Sequence, residues 1–161
     1  MQARVEEVTR MTLTGRRGDA HQSCQWLLWC GLNSESDALA EAIDGSVNVQ
    51  GSDSYSVKRE AVEAFVRGDI RVLISKIKIL GFGLNLQNCH HMAFVGIGDS
   101  YEQYYQCIRR CYRCGQTEPV SAHVIVSELE HLIVDNIRRK EREAAQMTSA
   151  LVRYIAAERA A

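Results

Sequence analysis

The sequence predicts an α/β fold, a doubly wound parallel sheet covered by helices on both faces. Three observations carry that prediction. Short apolar runs alternate with longer helical patterns, the runs are apolar at nearly every position, and turn residues punctuate the boundaries. Residues 25–30 (QWLLWC) make the first such run and suit a strand buried on both sides. A helix follows, opened by Ser34 with Asp37 three residues on, carrying Ala38, Leu39, Ala42 and Ile43 on one face and ended by Gly45. Residues 47–50 read as a second strand and GSDSYS as a loop. Ser56 is placed to cap a third segment, a helix to Arg67 with Val62, Phe65 and Val66 inward and Gly68 as its stop. Residues 71–75 (RVLIS) form a third strand, 92–95 (MAFV) a fourth and 120–126 (VSAHVIV) a fifth, with a helix over 100–113 between the last two. Strands alternating with helices imply βαβ crossovers and therefore a parallel sheet. Residues 127–161 hold neither Pro nor Gly and read as one long helix or two. The expected division is a leading helix or connector over 1–22, one domain over 23–127, and a helical extension over 128–161.

Composition bounds the function before any motif does. The chain has 161 residues, 46% apolar and 24% charged, with 19 Lys plus Arg against 20 Asp plus Glu. That length makes one domain with its own core. The near-zero balance confines any nucleic-acid contact to a local basic patch. No apolar window is long enough to span a bilayer, and MQARVEEVTR is unlike a secretory leader, so no membrane partner is expected. Six Cys without an export signal read as reduced thiols of a cytoplasmic protein.

In such sheets ligands bind beyond the carboxyl ends of the strands. Two segments there carry chemistry. In Lys76-Ile-Lys-Ile-Leu-Gly-Phe-Gly-Leu-Asn-Leu-Gln87, Gly81 and Gly83 permit close backbone approach beside the charges of Lys76 and Lys78, although an ordinary tight turn uses the same glycines. In the second segment Gln106, Arg110 and Arg113 stand at i, i+4 and i+7 and are expected on one helical face. Two guanidiniums so placed suit a phosphate group. Together with Arg109, these basic residues are expected along the edge where the strands end.

The order strand, Gly81-Phe-Gly-Leu-Asn-Leu-Gln87, strand, Gln106-x-x-x-Arg110-x-x-Arg113-x-Gly115-Gln116 resembles motifs V and VI of superfamily 2 helicases and translocases. The Arg-x-Gly-Gln ending and Gly-Leu-Asn-Leu are most similar to the chromatin-remodeller-type branch and its phage and bacterial relatives. Upstream, QWLLWC and the helix after it resemble motif IV, and the Gly51 loop, Arg59 and residues 64–74 resemble the stretch before motif V. The resemblance covers about residues 25–126. It implies the C-terminal RecA-like lobe of a two-lobed, ATP-dependent DNA motor. By carry-over, Arg113 would be the arginine finger at the γ-phosphate of ATP, Arg110 would contact that phosphate or position the finger, and Gln106 would organise the interlobe site. Gly81, Gly83 and Asn85 would belong to the nucleotide side of motif V, with Gly83 and Asn85 coupling it to the nucleic-acid track, and Gly51, Arg59, Ser75 and Lys76 would lie along the DNA backbone. Lys78 joins them on charge and position alone.

The chain departs from a complete motor. It has no Gly-x-x-x-x-Gly-Lys-Ser/Thr loop and no Asp-Glu box, so the β- and γ-phosphates and Mg²⁺ would be held by an N-terminal lobe on another chain or lost by truncation. Alone, this chain is expected not to hydrolyse ATP. The stretch from Ser75 to Gly81 is about one residue longer than the remodeller pattern, and Arg109 replaces a usual small residue.

Other patterns in the sequence point elsewhere. Cys107, Cys111 and Cys114, with Cys89, His90 and His91, could suggest zinc, but Cys on a packed helix more often fill a core, so no metal site is expected. Gly96-Ile-Gly98 lacks the third glycine of a dinucleotide fingerprint. Tyr101, Tyr104, Tyr105 and Tyr112 suit a core edge better than base stacking, and NIRRKERE at 136–143 suits a solvated face. The rival function is a non-catalytic RecA-like binding module that docks a partner through its C-terminal helix.

Overall fold

The computed structural model of the chain describes residues 1–14, 24–80, 84–127 and 130–160. Five strands, β1 (Trp26–Cys30), β2 (Val47–Val49), β3 (Val72–Lys76), β4 (His91–Phe94) and β5 (Ser121–Val124), form one sheet in the order β2-β3-β1-β4-β5. Every pairing is parallel, with Leu28 opposite Ile74 on one side and Ala93 on the other. The helices are α1 (Gln2–Thr14), α2 (Asn33–Ala42), α3 (Tyr55–Arg67), the single-turn α4 (Ile77–Leu80), α5 (Tyr101–Cys111) and α6 (His131–Ala160). The architecture is the RecA-like one expected, with a long C-terminal helix. No described helix is long and apolar enough to cross a membrane.

Alternation along each strand divides the core in two. Leu27 and Trp29 point with Leu73, Met92 and Phe94 toward α3, α5 and α6, where Phe65, Cys107, Cys111 and Ile137 meet them. Trp26, Leu28 and Cys30 point with Val72, Ile74 and Ala93 toward α1 and α2, where Val5, Val8, Leu39 and Ile43 cover them. Both faces are apolar because both are covered, and the central strands β3, β1 and β4 therefore lack the polar alternation seen in the edge strands β2 (VNV) and β5 (SAHV).

Several local expectations are corrected. The cap of α3 is Ser54, not Ser56: its Oγ accepts from Val57 N at 3.4 Å, and Ser56 is already inside the helix. Ala61 and Phe65 are the buried residues of α3, while Val66 is 45% exposed. Ser34 does not open α2. Glu35 does so from inside, its buried carboxylate accepting from Gly31 N at 3.1 Å and Leu32 N at 3.0 Å. Gly96 makes room for it, because a Cβ there would lie 2.6 Å from Glu35 Oε2.

That carboxylate also anchors α1. Arg4 pairs with Glu35 at 3.4 Å and with Glu130, just before α6, at 3.1 Å. Hydrogen bonds from Ser127 N and Oγ, together with Arg4, hold the Glu130 carboxyl below its ordinary value of 4.5. Its contribution to stability is therefore complete above pH 4.5 and fades as pH falls through the lowered folded value. Urea unfolding of wild type and Glu130→Gln should differ most at neutral pH and converge as pH falls through the lowered folded value; a gap that widens on acidification would exclude this coupling.

Candidate functional site

In a parallel sheet the helix after a strand must run back from the carboxyl edge to the amino edge. Helix α5 does so over 11 residues, about 16 Å, and this separates residues expected together. Lys76 and Lys78 stand at the carboxyl edge, at the end of β3 and on α4, whereas Arg110 and Arg113 lie at the far end of α5. There Gln116 Nε2 reaches the carbonyl oxygen of Cys89, and Ser121 N donates to His90 O, both beside the starts of β4 and β5. The basic residues do not form one stripe along the edge where strands end.

The segment from Leu84 to His90 bridges the two levels. Ser100 opens α5 by accepting from Gln103 N, and α5 ends at Cys111, so Arg113 sits in a turn beyond the helix rather than on its face with Gln106 and Arg110. The two arginines differ sharply. Arg110 is 8% exposed and spends its guanidinium internally: Nε donates to Gln106 O at 3.0 Å, Nη2 to Gln106 Oε1 at 2.9 Å and Nη1 to Leu84 O at 3.1 Å. Burial, with the neighbouring Arg113 and Arg109 charges, lowers its pKa. Arg113 is exposed, and among the described residues its guanidinium makes one hydrogen bond, from Nη1 to the same Leu84 O at 3.3 Å.

The turn itself is seated by its neighbours. Gly115 has φ 99°, a left-handed conformation that resists side chains, and a Cβ would lie 3.3 Å from Gln87 Oε1. Gln116 Nε2 reaches Gln87 O at 2.9 Å, Cys89 O at 3.2 Å and Cys111 O at 3.4 Å. Leu86 N donates to Arg110 O at 2.9 Å. The segment 84–89 and the end of α5 are thus one hydrogen-bonded joint.

The remaining expected residues distribute as follows. Asn85 is exposed beside the joint; Gly81 and Gly83 lie outside the described residues. Ser75 is corrected: it is fully buried, its Oγ donating to Val49 O at 3.0 Å, so it ties β3 to β2 and meets no outside backbone. Gly51 lies against Ile79, and its carbonyl accepts from Lys58 Nζ at 2.8 Å. Arg59 is exposed and pairs with Glu63 at 3.3 Å. With Tyr55, Lys58, Ile79 and Leu84 it lines an open groove of about 390 Å³ above α4. Lys58 and Tyr55 were missed, although Tyr55, Lys58, Arg59 and Val62 have the i, i+3, i+4, i+7 spacing of one helical face. The Leu84 carbonyl was also missed, because a backbone acceptor leaves no trace in side-chain patterns.

The thiols divide likewise. Cys107 and Cys111 are buried in the core and Cys114 is exposed. Burial pushes the Cys107 thiol up to about 12, and a hydrogen bond to Cys111 followed by burial raises Cys89. Tyr104 packs on Phe94 at 4.9 Å, as a core-edge residue does, while Tyr105 and Tyr112 are exposed and Arg109 lies 5.8 Å from the Tyr112 ring.

Sheet order, helix placement and this joint define a RecA-like lobe. The chain belongs to the helicase conserved C-terminal domain family, whose sequence pattern matches residues 12–115. The bifunctional helicase and thymine dioxygenase JBP2 of Leishmania major and of Leishmania infantum is 30% identical over 98 residues, 60% of this chain and 9% of each of those proteins. The JBP2 of Leishmania tarentolae is 30% identical over 87 residues, 53% of this chain and 8% of that protein. The chain thus spans less than a tenth of these relatives. Among solved structures, the C-terminal part of the Fun30 ATPase domain superposes with a TM-score of 0.72 at 18% identity, covering 83% of this chain and 44% of that one.

The joint predicts unequal roles. Arg110→Ala should destabilise the fold by about 1–3 kcal/mol through lost charged hydrogen bonds and packing, whereas Arg113→Ala, at an exposed position, should cost less than about 0.5 kcal/mol. Thermal or urea unfolding of the two variants checks the order, and a reversed order would refute it.

Proposed function

We propose that this chain is the C-terminal motor lobe of an ATP-dependent DNA helicase or translocase of the remodeller-type branch, from a phage or bacterium. Family membership supports the lobe assignment. The observation that carries the site assignment is the contrast between the two arginines. Arg110 is consumed by Gln106 and Leu84, while Arg113 projects from a seated turn with donors left for an anion. Arg113 is therefore the finger, and Arg110 the residue that positions it. An exposed guanidinium on a fixed turn fits a phosphate group of ATP at a lobe interface; with the γ-phosphate bound there, it would offset charge developing in the transition state. The P-loop and the magnesium ligands come from an N-terminal lobe, since this sequence has neither.

The DNA backbone would run along the groove lined by Lys58 and Arg59, past Gly51, whose carbonyl accepts from Lys58, and past Lys76 and Lys78, which precede Ile79 in the chain. Leu84 links the two sites, its side chain lining the groove and its carbonyl holding both arginines. A second reading, a binding module that docks through α6, has its own support in the exposed Met147, Leu151, Val152, Tyr154 and Ile155.

The chain alone should show no DNA-stimulated ATP hydrolysis. Combined with the lobe that carries the P-loop, Arg113→Ala should lower DNA-stimulated ATPase by about 10³-fold or more with its melting temperature unchanged. Full activity of that variant would overturn the finger assignment and leave the binding module.

A further inference from the structure

Where the strands begin, a second set of chemically capable side chains converges that the lobe assignment does not use. Cys24 lies two residues before β1, and His90 and His91 lead into β4, its neighbour in the sheet, where Trp26 and His91 are register partners. Their ligand atoms, one thiol sulfur and one ring nitrogen from each histidine, all lie within 4.8 Å of one another, and all three residues are half-buried.

The backbone on both sides of this cluster is held. Cys89 Sγ lies 3.1 Å from His91 O and 3.4 Å from Gln25 O, a donor shared between the two segments. Asn88 Nδ2 donates to Gln25 Oε1 at 2.8 Å and to Phe65 O at 3.0 Å. Ser121 N donates to His90 O at 2.7 Å, and the Trp26 ring stacks on the His91 imidazole at 4.9 Å and 18°. Two chain segments far apart in sequence are therefore fixed at a spacing that brings three soft-to-borderline donors together.

We propose that Cys24, His90 and His91 form a binding site for a transition metal ion of the zinc class. One thiolate and two neutral imidazoles suit Zn²⁺, with Co²⁺ as a spectroscopic substitute, and do not suit Mg²⁺ or Ca²⁺, which take oxygen ligands. Tetrahedral coordination at about 2.3 Å to sulfur and about 2.0–2.1 Å to nitrogen spaces the donors by roughly 3.3–3.6 Å. The three side chains reach that spacing by closing inward by about 1 Å from the 4.8 Å limit. Three protein ligands leave a fourth position for water. The grouping differs from the one the sequence suggests, in which Cys89, His90 and His91 stand with Cys107, Cys111 and Cys114.

The ion would clamp the segment before β1 to the segment before β4. The carbonyl oxygens of Gln87 and Cys89 on that second segment hold Gln116, so the clamp would stiffen the seat of the Arg113 turn. Metal binding itself is independent of whether Arg113 acts on nucleotide.

The test is titration of the metal-stripped full chain with Co²⁺. About one ion per chain should bind, with tetrahedral d–d bands and a sulfur-to-cobalt charge-transfer band, and Zn²⁺ should displace it. Cys24→Ser should abolish the charge-transfer band, His90→Ala and His91→Ala should each weaken binding about tenfold or more, and Cys114→Ser should change nothing. In the unaltered chain, Zn²⁺ should slow alkylation of Cys24. Absence of one-to-one binding, a charge-transfer band that survives Cys24→Ser, or alkylation of Cys24 unaffected by Zn²⁺ would each overturn the proposal.

Discussion

The carbonyl oxygen of Leu84 accepts from both Arg110 and Arg113, and the arrangement of the candidate site depends on that shared acceptor. One carbonyl has two lone pairs, so it can serve two donors from different positions. The inner donor, Arg110, is almost wholly buried and also holds Gln106; removing it would leave polar groups without partners in a poorly solvated place. The outer donor, Arg113, touches the same atom from the solvent side. Leu84 also lines the groove above α4, so the groove and the arginine-bearing turn share one residue.

Parallel topology explains why such a bridge is required. Strands that run in one direction force α5 to return across the sheet, so the end of a motif's helix lies far from the carboxyl edge where the lysines of β3 and α4 stand. The segment 84–90 makes the same descent on the way to β4. It packs beside the end of α5, and its backbone groups meet the Arg110 guanidinium, the Gln116 amide and the Arg110 carbonyl. The left-handed Gly115 then turns the chain toward β5 at the point where a Cβ would press on Gln87.

Most of the fold was legible in the sequence because hydrophobic burial on both sides leaves a local mark. WLLWC, VLI and MAF are apolar throughout, and Gly68 stops a helix because its φ of 91° is a conformation that glycine adopts without steric cost. Less legible were contacts that depend on where a distant segment arrives. Ser75 has the polarity of a surface contact, yet it is buried because β2 presents the Val49 carbonyl to it. Ser56 fits a cap by composition, but the helix begins at Tyr55 and Ser54 takes that role. Glu35 closes the first turn of α2 and pairs with Arg4, a residue 31 positions earlier in the chain.

The sequence by itself determined the fold class, the order of the elements and the presence of the arginine-bearing segment without a P-loop, since periodicity, turn residues and motif spacing are all properties of neighbouring residues. Only the tertiary structure decided which arginine is spent and which is presented, which residues share the groove, and that Cys24 meets His90 and His91. The reason is that a hydrogen bond or a ligand cluster is set by the meeting of segments far apart in the chain. That meeting follows from sheet order and helix direction, and no local pattern encodes it.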